Sequence, residues 1–208
     1  MRIYLLCILS AGLLTAAAQS DKYVSAMQKN LSLFDSAKTV QDFRTVSNSF
    51  ERIAESEKNQ WLPYYYAGLA LSTIGWTDPN IDKDENSMRI NAFCDKAAAI
   101  NNNAEIYILR NMAATQAMMV DPQTRWQTFG AEASNDLKKS EDMDPNNPRI
   151  YYLRGMSLFN TPPAYGGGKD KAKPLFEKAV ALYKTYNVKP LYPNWGEKQS
   201  VEMLARCQ

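Results

Sequence analysis

Histidine does not occur anywhere in the 208-residue sequence. Its absence removes the commonest proton-transfer group near neutral pH and the commonest zinc ligand. Ser-His-Asp and Cys-His catalysis are excluded for the same reason. An enzyme built on this chain would have to use carboxylates, lysine or tyrosine.

Cysteine is also scarce, with three residues in the chain. Cys7 lies in an apolar N-terminal run, which leaves Cys94 and Cys207 in the remainder. Two widely separated thiols do not make a disulfide scaffold. A bridge between them would have to bring the C-terminus back to the middle of the chain, so we favour two unpaired, partly buried thiols.

The N-terminal stretch MRIYLLCILSAGLLTAAAQS is typical of a secretory signal peptide. An arginine precedes an apolar run over residues 3–17, and Ala16 and Ala18 have the spacing of an A-x-A cleavage site. The run is shorter than the roughly 20 residues that span a bilayer. We therefore predict a signal peptide over residues 1–18, with cleavage as late as residue 20. The mature protein is expected to be periplasmic or secreted, without a lipid-anchor cysteine or a membrane span.

Strand-like alternation is missing from the rest of the chain, and apolar residues recur at spacings of three and four, which indicates helices throughout. Capping residues and prolines mark the helix ends, as at Thr39 with Asp42 and at Asp121-Pro122. No linker interrupts residues 21–208, so we expect one all-α domain. The predicted helices lie at residues 21–36, 40–57, 61–75, 83–100, 104–119, 122–142, 149–159, 170–186 and 195–206.

Three segments align without gaps at spacings of 43 and 44 residues: YYYAGLAL (64–71), YILRNMAA (107–114) and YYLRGMSL (151–158). A second helix and an Asn/Asp/Pro turn follow each segment. The pattern resembles the tetratricopeptide repeat family, with the best-matching units at residues 61–103, 104–147 and 148–187. The resemblance implies a helical-repeat solenoid of about four helix pairs, ending in a capping helix at residues 193–206.

Small residues stand at the landmark positions of these units. At a crossing point, a small residue lets two helix axes approach to about 8 to 10 Å. We therefore interpret these positions as packing residues rather than ligand contacts. They are Gly68, Ala97, Gly155, Ala172 and Ala179.

The stretch NTPPAYGGGKDKAKPLFEKA, residues 160–179, raises the question of a phosphate-binding loop. A P-loop follows a strand and has a hydroxyl residue after its lysine. Here a helical segment precedes the glycines, and Asp170 replaces the hydroxyl residue. We interpret the stretch as an inter-helix turn on a presumed binding edge, which it would share with the two earlier inter-helix insertions. Its loop residues are Tyr165, Gly166, Gly167 and Gly168.

Two acidic clusters, DKDE at 82–85 and EDMD at 141–144, are explained as helix ends; weak calcium binding is the minor alternative. No catalytic residue, metal site or cofactor is predicted.

The tetratricopeptide resemblance implies that some first-helix positions face a concave groove. These positions are Tyr65, Leu69, Ile108, Met112, Tyr152 and Met156.

The favoured function is therefore a non-enzymatic, exported module that binds a protein or peptide partner through this groove and the inter-helix loops. The alternative is a binder of an apolar small molecule or lipid-like ligand, enclosed between the concave helices and the N-terminal helix pair. An enzyme that uses only carboxylates and tyrosines is the third hypothesis.

Charge is unevenly spread along the chain. Residues 21–148 hold 13 Lys/Arg and 18 Asp/Glu, whereas residues 149–208 hold 10 and 4. Solvated helix faces explain this asymmetry most simply. The sharper alternative is weak, salt-sensitive docking of the C-terminal third on an acidic partner or anionic head groups, through Lys169, Lys171, Lys173 and Lys184. Nucleic acid is not an expected partner, because the chain is exported and nearly neutral.

The packing interpretation predicts that Ala179→Leu overfills a helix crossing. We expect a loss of roughly 1 to 3 kcal/mol in the free energy of unfolding. Thermal unfolding measures the effect, and a melting curve that matches the wild type would contradict the repeat alignment.

Overall fold

The structure is a computed structural model that describes residues 21–208. The predicted signal peptide, including Cys7, lies outside the described residues. The helices are α1 Asp21–Ser36, α2 Val40–Glu57, α3 Trp61–Thr77, α4 Lys83–Ile100, α5 Ala104–Met118, α6 Pro122–Arg125, α7 Ala131–Met143, α8 Pro148–Asn160, α9 Lys169–Tyr183 and α10 Glu197–Ala205. A π-helical turn, Trp126–Gly130, joins α6 to α7, and a 3-10 turn, Pro163–Tyr165, precedes α9. No strand occurs in the described part of the chain, which confirms the all-α prediction.

Local capping chemistry explains why the helices begin where the sequence predicts. Thr39 and Asp42 form a reciprocal capping box at the start of α2. The Asp82 side chain accepts hydrogen bonds from two backbone amides at the start of α4, and Asn103 and Asn147 each accept one at α5 and α8. These side chains satisfy amides that the first helical turn leaves unpaired.

The helices pack mainly against their neighbours along the chain. α3 packs between α2 and α4, α5 between α4 and α7, and α9 between α8 and α10. The largest buried cluster joins α1 to α5 around Phe50 and Tyr66. A second cluster around Ile108 and Ile150 joins α5, α7, α8 and α9, and a third joins α9 to α10 around Phe176. The hydrophobic core thus runs along the stack in chain order.

Small residues lie at the closest helix contacts. A Cβ atom added to Gly68 would lie 3.0 Å from Leu109, and one added to Gly155 would lie 2.6 Å from the Phe176 ring. Ala97, Ala172 and Ala179 are completely buried. The second unit has Asn111 in place of glycine, and its amide donates a hydrogen bond of 2.8 Å to the Ala133 carbonyl of α7. A polar link therefore joins two helices where the other units use close apolar contact.

Both described cysteines are free and buried, as the sequence analysis favoured. Burial raises the pKa of the Cys94 thiol to about 12. Because the thiolate is the reactive form of cysteine, Cys94 is a packing residue and a poor nucleophile at neutral pH.

The segment after α9 does not continue the helical stack. Residues 184–196, which we name the C-terminal strap, run back to the first unit before α10 begins. The Tyr66 hydroxyl donates a hydrogen bond of 3.0 Å to the Leu191 carbonyl, and the Trp195 indole donates one of 2.9 Å to the Tyr65 hydroxyl. The predicted helix at 170–186 therefore ends three residues early, at Tyr183, where the chain turns into the strap.

Asp136 is a buried carboxylate on α7, 5% exposed, and burial raises its pKa to about 6. A raised pKa in the folded state means that the charged form destabilises the fold. This penalty is absent below the unfolded pKa near 4, grows between about pH 4 and 6, and is complete above that range. We expect Asp136→Asn to be more stable than wild type by up to about 3 kcal/mol at pH 8, since the pKa rises by about two units and each unit corresponds to about 1.4 kcal/mol. Urea unfolding at pH 8 and pH 4 measures the difference, and equal gains at both pH values would contradict it.

Candidate functional site

The C-terminal strap is held by side-chain hydrogen bonds in its second half. Besides the contacts with Tyr65 and Tyr66, the Tyr183 hydroxyl donates a bond of 2.9 Å to the Trp195 carbonyl. Leu191 has a φ of 67°, a left-handed conformation that is strained for a leucine. The strap's anchors therefore hold its backbone in a conformation that an unrestrained leucine rarely adopts.

A cavity of about 840 Å³ lies between the strap and two inter-unit turns, the turn before α5 and the turn before α8. We name it the strap cavity. Aromatic and aliphatic side chains cover part of its wall, and asparagines cover much of the remainder. Its apolar lining residues are Trp61, Met143, Leu182, Tyr186, Val188, Tyr192 and Pro193, and its ionisable ones, apart from the two tyrosines, are Glu105, Asp144, Arg149 and Lys189.

A buried ion pair forms one wall of the cavity. Arg149 donates from Nε to Glu105 Oε2 at 3.0 Å and forms a second, short contact from Nη2 to Oε1. The Asn147 amide donates to the same Oε1 at 2.6 Å. The side chains of Glu105 and Arg149 are 7% and 1% exposed, so this pair is shielded from water. Burial alone would lower the pKa of Arg149, but the adjacent Glu105 carboxylate outweighs it, and the net shift is upward.

The same arginine connects the repeat units to the strap. Its guanidinium lies over the Tyr186 ring, at 5.4 Å from the centroid, and over the Trp195 ring, at 5.7 Å. These are cation–π contacts, which gain strength when the cation is desolvated. Arg149 therefore fixes the position of two strap aromatics as well as Glu105.

Tyr186 is held at the cavity wall by Asp144. Its hydroxyl donates a hydrogen bond of 2.8 Å to Asp144 Oδ2. Burial raises the pKa of Tyr186, and the hydrogen bond to Asp144 raises it further. The phenol is therefore neutral at physiological pH and acts as a hydrogen-bond donor.

Groove residues predicted from the sequence separate into two groups. Tyr65, Leu69 and Ile108 are buried in the core, at 0%, 4% and 0% exposure. The other three, Met112, Tyr152 and Met156, remain partly exposed. None of the six lines the strap cavity, and a ligand-binding role for them stays a prediction.

Inter-helix loop residues 165–168 form a compact turn. Tyr165 is 83% exposed, while Gly166 and Gly168 have φ values of 84° and 101°. Gly167 packs against the backbone, and a Cβ there would lie 2.2 Å from the Thr161 carbonyl oxygen. The turn's conformation explains the glycines, and partner binding by this loop stays a prediction.

The four lysines of the predicted docking surface are exposed on and just after α9: Lys169, Lys171, Lys173 and Lys184. Docking through them also stays a prediction.

Sequence reasoning missed the residues that build the strap cavity. Glu105 and Arg149 are 44 residues apart, so they occupy equivalent places in successive units, each two positions after a capping asparagine. Opposite charges at equivalent positions of successive units were the signal that could have identified this pair. The aromatic, non-helical sequence TYNVKPLYPNW at 185–195 was a second one.

The described residues contain no helix long and apolar enough to cross a membrane. Within the same residues, no three Asp, Glu or Cys side chains come together as a metal site. The strap cavity is partly apolar and open to solvent, and its carboxylates already accept hydrogen bonds.

The buried ion pair generates a stability prediction. Arg149→Met leaves Glu105 buried without its counter-charge, and we expect a loss of about 3 to 5 kcal/mol in the free energy of unfolding. The double variant Glu105→Leu/Arg149→Met removes both charges and should lose less. Urea unfolding at pH 7 measures both. Arg110→Met, which removes the arginine of the more exposed pair with Asp95, is the control and should cost about 1 kcal/mol or less. A double variant as unstable as Arg149→Met would contradict the prediction.

Comparisons with known proteins bear on both the repeat and the function. No protein-family model matches the chain, and no curated protein sequence matches it. The resemblance to tetratricopeptide repeats therefore stands as an all-helical, repeat-like architecture without a matching family model.

Among solved structures, the chain is similar to the HusA haemophore from Porphyromonas gingivalis. The two share 35% sequence identity over 92% of this chain and 95% of that chain, with a TM-score of 0.82. The relative is a binding protein, and its likeness extends over nearly the full length of both chains. At this level of identity and coverage, the chain belongs to the HusA haemophore family.

Proposed function

We propose that this protein is an exported, non-catalytic carrier of haem or a related porphyrin, and that the macrocycle lies in the strap cavity. Membership of a haemophore family is the observation that carries the proposal. It favours the second hypothesis from the sequence, a small-molecule binder, over the protein-binding scaffold that we preferred. Export rests on the signal-peptide pattern of residues 1–18.

The dimensions and lining of the strap cavity support this ligand class. Its volume of about 840 Å³ falls within the roughly 300 to 1,000 Å³ typical of small-molecule sites. A porphyrin is a flat apolar ring, and Tyr186 and Tyr192 offer aromatic surface at the cavity wall. Aromatic pairs contribute about 0.5 to 1.5 kcal/mol beyond the burial of apolar area.

The strap explains a difference from the sequence hypothesis. That hypothesis expected the ligand between the concave helices and the N-terminal helix pair. Here α2 packs on α3, with Phe50 stacked on Tyr66 at 5.1 Å, and the strap also reaches α3 through Trp61, whose ring is 5.4 Å from that of Tyr192. The favoured ligand position is therefore the strap cavity, between the strap and the turns before α5 and α8.

The absence of histidine restricts how a metalloporphyrin is held. Haem iron in proteins is most often bound by histidine, with cysteine, methionine or tyrosine as the alternatives. Of the tyrosines at the cavity wall, Tyr186 is neutral and its hydroxyl donates a hydrogen bond to Asp144. We therefore attribute binding mainly to contacts with the macrocycle, and we expect metal-free protoporphyrin to bind about as tightly as haemin.

Titration of the purified mature protein tests the proposal. Haemin is followed by its visible absorption and metal-free protoporphyrin by quenching of tryptophan fluorescence. We expect saturable binding of both ligands at one site per chain. If neither porphyrin binds, the proposed function is wrong.

Paired variants test the position of the ligand. Val188 lines the cavity and is 36% exposed, so Val188→Asp should fold normally and put a carboxylate against the macrocycle. We expect it to weaken both ligands about tenfold, which corresponds to about 1.4 kcal/mol. Val120→Asp, at an exposed position outside the cavity lining, is the matched control and should leave the affinity unchanged. If Met156→Gln weakens binding and Val188→Asp does not, the ligand occupies the concave groove instead.

A further inference from the structure

The carboxylates that line the strap cavity are paired more completely than its exposed cation. Both carboxylates already accept hydrogen bonds, because Glu105 is held by Arg149 and Asn147, and Asp144 by Tyr186. Lys189, by contrast, has no carboxylate partner: it forms no ion pair with any residue in the described range, and its ammonium lies 5.5 Å from the centroid of the Tyr192 ring.

Arg149 is not accessible to a ligand in the cavity. Its Nε and Nη2 atoms contact Glu105, and its side chain is 1% exposed. Its Nη1 atom is buried as well. Lys189, which is exposed, is therefore the cation of the cavity lining that a ligand can reach.

We infer that the ligand of the strap cavity carries a carboxylate that pairs with Lys189. The inference rests on the proposed function and restricts it to porphyrins with free acid groups. A carboxylate matches the Lys189 ammonium because it accepts charge-assisted hydrogen bonds. The strap thereby does more than cover the cavity, since its Lys189 selects the chemistry of the ligand edge.

The test compares protoporphyrin free acid with its dimethyl ester, which has the same ring and no anionic groups. Binding of each to wild type, Lys189→Gln and Lys184→Gln is measured by quenching of tryptophan fluorescence at matched low concentration. Lys184 is the matched control, because it is an exposed strap lysine that forms no ion pair with a described residue and does not line the cavity.

We expect Lys189→Gln to weaken the free acid about three- to fivefold and to leave the ester unchanged, a magnitude typical of a partly exposed charge pair. Added salt should weaken the acid and not the ester, since it screens the pair. Lys184→Gln should change neither affinity. A Lys189→Gln variant that weakens acid and ester by the same factor, or neither of them, overturns the inference and leaves the proposed function standing. Failure of both compounds to bind wild-type protein overturns the proposed function itself.

Discussion

The buried pair of Glu105 and Arg149 is the interaction on which the C-terminal half of the structure depends. It joins the first turn of α5 to the first turn of α8, two helices that occupy equivalent places in successive units. A glutamate near a helix N-terminus suits the helix dipole, whereas an arginine there does not. The unfavourable position of Arg149 is offset by Glu105 and by the two aromatic rings of the strap. One side chain therefore connects repeat stacking, strap position and cavity wall.

The strap gives a mostly local fold a few long-range contacts. Its hydrogen bonds with Tyr65 and Tyr66 join residues 130 and 125 positions apart. Such closure costs chain entropy, and the φ of Leu191 adds local strain. Aromatic packing of Tyr192 against α3 and of Trp195 against α8 offsets these costs. The benefit for binding is preorganisation, because a wall that is already ordered loses little further entropy when a ligand enters.

The sequence excluded several classes of function but did not decide between the remaining ones. The missing histidines exclude the commonest catalytic sets and remove the commonest haem ligand at the same time. Both a scaffold and a small-molecule binder satisfy that restriction. Family membership favours the second, and the strap cavity offers a chamber of suitable volume. The groove inferred from the repeat resemblance was drawn from first-helix positions alone, and half of those positions lie in the core.

Sequence by itself determined the helices, their order and the small residues at their crossings. These depend on caps, prolines and apolar spacing within a few residues of each other. The ends of each predicted helix lie within three residues of observed helix ends, although the π-helical turn Trp126–Gly130 divides the helix predicted at 122–142. Only the tertiary structure decided the path of the strap, the pairing of Glu105 with Arg149, and the burial of Tyr65, Leu69 and Ile108. Those features depend on how far each unit is rotated against the next. That rotation brings residues more than 40 positions apart into contact, and spacing along the chain does not report it.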